Sequence, residues 1–163
     1  MSRDPLWAPW RVGFILGPKT PDCFMCTAVS RPPEIETLLL DRTERCFVIL
    51  NRYPYNNGHL LVGPCRHEGD FTGLDDDELA EIGRLTRHWI GVLRQVMRPD
   101  GFNVGWNLGT AAGAGVADHL HQHIVPRWNG DTNFMTICAE QRVINQSLEE
   151  AWRLLSAASA RRG

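Results

Sequence analysis

A chain of 163 residues has room for one domain with a core of ordinary size, and 43% apolar with 22% charged residues is the balance of a folded globular protein, not a disordered one. A formal charge of −2 excludes a general attraction to nucleic acid or to anionic membranes, so any phosphate has to be held by a local site. No run approaches the roughly 18 apolar residues of a membrane span and the start lacks the apolar core of a secretory signal, so a soluble, cytoplasmic protein is expected.

The first 40 residues are rich in Pro and Trp without clear periodicity, and read as an irregular arm with a short turn around "CFMC". "RCFVILNRYP" and "HLLVGPCRH" are short apolar, β-branched runs separated by "YPYNNGH", whose Pro, Asn-Asn and Gly predict a loop joining two strands. From Leu74 the period changes. Leu79, Ile82, Leu85, Trp89, Leu93 and Val96 recur at steps of three and four, and Asp75 with Glu78 resembles a capping box, so a long amphipathic helix is predicted to stop before Pro99. His88 falls on its polar side as an exposed structural residue. "GFNVGWNLGT" alternates as a strand, "AAGAG" is a glycine-rich loop, "HLHQHIVP" is a further strand that Pro126 ends or leaves at an edge, and "QSLEEAWRLLSAA" is a final helix. No repeat or internal linker divides the chain, so a single domain over residues 1–163 is expected. The order of strand pair, helix, strand pair, helix predicts an antiparallel sheet with helices on one side, an α+β fold.

Five cysteines is an odd number, and Cys46, Cys65 and Cys138 stand singly in apolar surroundings, where buried free thiols are expected. "DHLHQH" holds three of the six histidines at alternate positions. In an extended strand alternate side chains leave one face roughly 6.8 Å apart, so His119, His121 and His123 would form a row. A neutral imidazole is a competent nucleophile toward phosphorus, and glycine-rich backbone such as "AAGAG" can approach a phosphate closely. A polar strand face and a metal site made of all three imidazoles are the other readings these residues leave open.

"HLHQHIV" resembles the His-x-His-x-His-x-x signature of the histidine triad superfamily. "NRYPYNNGHLLVGP" looks like that family's first strand pair and the stretch from "NLG" to "HLHQHIVPRW" like its catalytic half, so the resemblance covers about residues 44–128. The opening "LWAPWR" and the later "PRWNGDTNFM" look more narrowly like bacterial members related to diadenosine tetraphosphate phosphorylase. The resemblance implies a sheet of about five strands and a double displacement at phosphorus. His121 would attack the α-phosphorus, His123 would stabilise the transferring phosphoryl group, and Asn107 would bond the phosphate chain or leaving oxygen. Asn51 would hold the ribose hydroxyls. His59 would either line the nucleoside site or pack behind the Gly58 turn, and Trp128 would either stack on a base or lie over the sheet end. Where many relatives carry a loop Ser or Thr this chain has Ala114, Gly115 and Val116, leaving backbone amides at Ala114 and Gly115 to meet the phosphate.

"CFMC" has the spacing of a zinc half-site, and Cys23 and Cys26 need two further ligands. His67, just past the second strand, and His119 are the candidates, in the manner of zinc-containing relatives such as the galactose-1-phosphate uridylyltransferases. A structural zinc is expected and no organic cofactor, against packing cysteines and a surface His67. The expected substrate is a nucleotide or dinucleoside polyphosphate with inorganic phosphate or water as acceptor. A hydrolase of dinucleoside polyphosphates or nucleoside phosphoramidates is the alternative within the chemistry, and a nucleotide-binding sensor or adaptor the alternative outside it. A homodimer is expected, with Trp7 and Trp10 either reaching a partner or packing within the chain. Neither nucleic acid nor membrane is expected as a partner.

Overall fold

The chain's structure, a computed structural model, describes residues 23–131 and 146–159. Trp7, Trp10 and Cys138 lie outside the described residues, as do most of the opening arm and the "TNFM" stretch. The two predicted runs become β2 (Cys46–Leu50) and β3 (Leu60–Pro64), paired antiparallel from Cys46 opposite Pro64 to Leu50 opposite Leu60. β1 (Leu39–Arg42) flanks β2, while β5 (Gln122–Arg127) lies between β3 and β4 (Gly101–Trp106), giving the order β1-β2-β3-β5-β4. Every pair is antiparallel. The α+β architecture read from the sequence is the one observed, with a sheet of five strands.

Cross-strand register sorts the side chains. His123 opposes Leu61, and Leu61 opposes Ile49, so these three share one face. Gln122, Val62 and Val48 share the other, where the Thr86 hydroxyl of the long helix α2 (Asp76–Met97) bonds the Gln122 carboxamide at 2.5 Å. α2 starts as its sequence implied. Asp75 accepts the Glu78 backbone N–H, Glu78 returns the bond to the Asp75 N–H, and three acidic residues occupy the first turn. Ile82, Leu85, Trp89, Val92 and Leu93 are buried, whereas Leu79, expected in the stripe, is exposed. The last described helix, α3 (Leu148–Ser159), packs against α2 and β1, with the Trp152 indole N–H donating to the Leu39 carbonyl. No helix among the described residues is long and apolar enough to cross a membrane.

Three expectations are corrected. The described end of the arm is not irregular: it forms α1 (Phe24–Val29) and β1. A six-residue helix has too little intrinsic stability to announce itself, and α1 is held by burying Met25 and Ala28. Nor do all helices share one side of the sheet. Phe47 and Ile49 alternate onto the histidine face, Phe47 meets the His119 ring edge-on at 5.6 Å, and α1 carries Cys23 and Cys26 to His119; α1 therefore lies on the face opposite α2. Finally, the ladder of β5 begins at Gln122, so only His123 of the three histidines is within a strand.

Candidate active site

His119 and His121 sit in the extended approach to β5, pressed onto β3. The Leu120 N–H donates to the Glu68 carbonyl at 2.6 Å, and a Cβ on Gly63 would stand 2.6 Å from the Leu120 carbonyl. Only glycine at 63 lets the approach run this close. The His119 carbonyl then receives the His121 Nδ1–H at 2.8 Å. With Nδ1 donating, the lone pair of His121 is on Nε2. Burial pushes the His121 imidazolium below its usual range, so the ring is neutral and nucleophilic near neutral pH.

His121 and His123 meet ring to ring at 5.0 Å and 66°. The next imidazole in the row is not His119 but His59, whose Nε2 lies 2.9 Å from His123 Nδ1. Two donors converge on His59 Nδ1: the Tyr55 backbone N–H at 3.0 Å and the Asn51 carboxamide nitrogen at 3.1 Å, the latter oriented because Asn51 Oδ1 accepts the Tyr53 N–H. His59 Nδ1 is thus an acceptor, Nε2–H donates to His123 Nδ1, and the His123 proton resides on Nε2. The Asn107 carboxamide, just past β4, has its nitrogen 3.3 Å from His123 Nε2; since that Nε2 carries the proton, the carboxamide is turned about so that its oxygen accepts the bond. Burial, then the charges His123 and His121 would carry, lower His59 to about 3; burial and His121 lower His123 to about 4.

His119 turns its ring the other way, toward α1. Its Nε2–H donates to the Pro64 carbonyl at 2.9 Å, leaving Nδ1 at 3.2 Å from Cys23 Sγ and 3.4 Å from Cys26 Sγ. His67 Nδ1 is 3.4 Å from Cys26 Sγ, and the ligand atoms of all four residues fall within 4.8 Å of one another. Sulfur and nitrogen ligands of a tetrahedral zinc stand about 3.6 Å apart, so the spacing fits that ion. The donor set fits too: burial and the neighbouring Cys23 push the Cys26 thiol up, so ionising Cys26 calls for a cation, and the Pro64 carbonyl supplies the outer bond a ligating histidine needs.

The other expected residues have these partners. The Ala114 N–H is donated to the Gly109 carbonyl, inside a loop that turns through Gly109 and Gly113 at φ +79° and +87°, while Gly115 is exposed beyond it. Trp128 is on the opposite face from His123 and about 17 Å farther along the strand; its indole N–H donates to the Met97 carbonyl at the end of α2. Asn51 directs its carboxamide into its own turn. A cavity of about 360 Å³ opens on the histidine face instead, lined by Phe24, Ala28, Ile49, Arg31 and Arg52 among others. Ile49 is two strands from His123, about 10 Å away. The sequence reading missed Tyr55, the second tyrosine of "YPYNNGH", whose ring lies 4.7 Å from His59 and 5.7 Å from His123.

Comparison with known proteins places the fold. A Mycobacterium tuberculosis protein named AP-4-A phosphorylase is 42% identical over 164 residues, covering 96% of this chain and 84% of its own length. The crystal structure of a Zn-bound histidine triad family protein from Mycobacterium smegmatis superposes with a TM-score of 0.68 at 32% identity, covering 85% of this chain and 94% of that one. A hypothetical histidine triad nucleotide-binding protein from Sulfolobus tokodaii follows at 0.66 and 27%, covering 83% and 91%. The family model of the HIT domain matches residues 32–130, and the chain belongs to that family.

Proposed function

We propose that the chain is a nucleotidyl transferase that phosphorolyses dinucleoside polyphosphates such as diadenosine tetraphosphate. The observation that carries this is the His121 ring, neutral and tethered through Nδ1 to the His119 carbonyl, so that Nε2 is the free nucleophile. The name of the Mycobacterium tuberculosis relative supports the substrate. His121 Nε2 would bond the α-phosphorus as the P–O bond to the remaining chain breaks and ATP departs. A phosphate oxygen would then form a new P–O bond as the P–N bond breaks, releasing ADP and the neutral imidazole; two in-line inversions retain configuration. The His123 Nε2–H and Asn107 would meet the phosphoryl and leaving oxygens, a preorganised electrostatic contribution. The cavity beside Ile49 has the volume of a small-molecule site and would take the nucleoside, its Phe24 and Ile49 surfaces facing the base.

Cys23, Cys26, His67 and His119 would hold a structural zinc, which when bound cross-links α1 to the approach that carries His121. The free outer edge of β4, which pairs only with β5 among the described strands and exposes Val104, would join two copies of the chain into a homodimer. Incubation with diadenosine tetraphosphate and labelled inorganic phosphate tests the reaction: labelled ADP with ATP is expected. Unlabelled AMP with ATP would make the chain a hydrolase. Binding with no product would make it a nucleotide sensor.

A further inference from the structure

His59 and His123 have ring centroids 5.1 Å apart and nitrogens 2.9 Å apart, which sets the two imidazoles edge to edge about one hydrogen bond. The Tyr55 ring is 4.7 Å from one and 5.7 Å from the other, inclined at 35° and 22°, so it lies across the pair as a cover over the bond between them. The same residue's backbone N–H is one of the two donors that make His59 Nδ1 an acceptor. Asn51 supplies the other, with its carboxamide oriented by the Tyr53 N–H.

We propose that Tyr55 is a positioning residue: its ring and backbone, with Asn51, hold His59 and through it His123 in the one orientation that presents His123 Nε2–H to the substrate phosphate. The physical argument is directional. An unrestrained imidazole exchanges its proton between two nitrogens and rotates about χ2, and either change would replace the donor facing the phosphoryl oxygens by a lone pair that repels them. A backbone N–H cannot reverse its direction. Starting the chain of bonds from two backbone N–H groups, those of Tyr53 and Tyr55, therefore sets the polarity of every later member. The tyrosine ring keeps water from competing for the His59–His123 bond, which strengthens it. Tyr55 acts through His123, so its contribution belongs to kcat.

The consequence for turnover rests on the proposed nucleotidyl transfer, but the proton's position does not. In ¹⁵N-histidine spectra of the wild type at neutral pH, His123 should show a protonated Nε2 and an acceptor Nδ1. A proton on Nδ1 would overturn the proposal without any variant. Tyr55→Ala should lower kcat for diadenosine tetraphosphate about threefold to tenfold, the scale of one aromatic pair, with KM changed less than about twofold. Tyr55→Phe should recover the loss because the ring and the backbone donor remain, and Tyr55→Leu, similar in bulk without a ring, should not. Unchanged kcat together with unchanged histidine signals in Tyr55→Ala and Tyr55→Leu would overturn it. Absence of turnover in the wild type would remove the proposed reaction while the spectra still decide the tautomer.

Discussion

His121 and His123 are two residues apart and differ in what each ring has bonded: one donates through Nδ1 to a carbonyl, the other accepts there from His59. The first is left with a nucleophilic lone pair and the second with a donor. Replacing His121 by Asn should lower kcat by at least about a thousandfold while leaving the fold intact, checked by single-turnover kinetics and circular dichroism. His59 makes a separate prediction about stability. Its folded pKa, about 3, lies below the unfolded value of 6.5, so the unfolded chain takes a proton that the folded chain refuses. Stability is complete above about pH 6.5 and falls as the pH drops through that value toward 3. Between pH 7.5 and 5.5 this histidine alone should remove about 1.4 kcal/mol, visible as a lower urea midpoint that His59→Gln flattens. Gly63→Ala would set a Cβ against the Leu120 carbonyl, costing about 1 to 3 kcal/mol and turning the His121 tether out of line; an unchanged melting temperature with unchanged turnover would refute that account.

Among the elements, α2 was the most legible, because a 22-residue helix carries both its 3.6-residue period and its own cap. β2 and β3 were legible for the same local reason. α1 and β1 were not: six and four residues respectively, they exist through burial of Met25 and pairing with β2, and neither leaves a periodic trace. The site divides in the same way. Cys23, Cys26 and the three alternate histidines announce themselves by spacing, whereas the partnership of His59 with His123 spans 64 residues and depends on the register of β3 against β5. Strand alternation along β5 puts even-numbered positions on the face opposite His123, and Trp128 just past its end follows suit, its indole bonded to the end of α2. The metal cluster makes the prediction at this scale. Wild-type protein should contain about one zinc per chain and Cys23→Ser much less, with a lower melting temperature; equal, negligible zinc in both would leave the cysteines as packing residues.

At the scale of the molecule, the five described strands have α2 and α3 behind them and α1 with the histidines and the cysteine cluster in front. Sedimentation at micromolar concentration should give the mass of two chains, and a concentration-independent monomer would refute pairing through the edge of β4. The strand order holds a further consequence. Because β4 touches the rest of the sheet only through β5, the ribbon from residue 101 to residue 106 has no berth until the strand bearing His123 has left the ribosome. Among the described strands β5 is thus the last to be made, and β4 joins the sheet only once β5 is there. A nascent chain interrupted before it would hold β4 without the strand it pairs with.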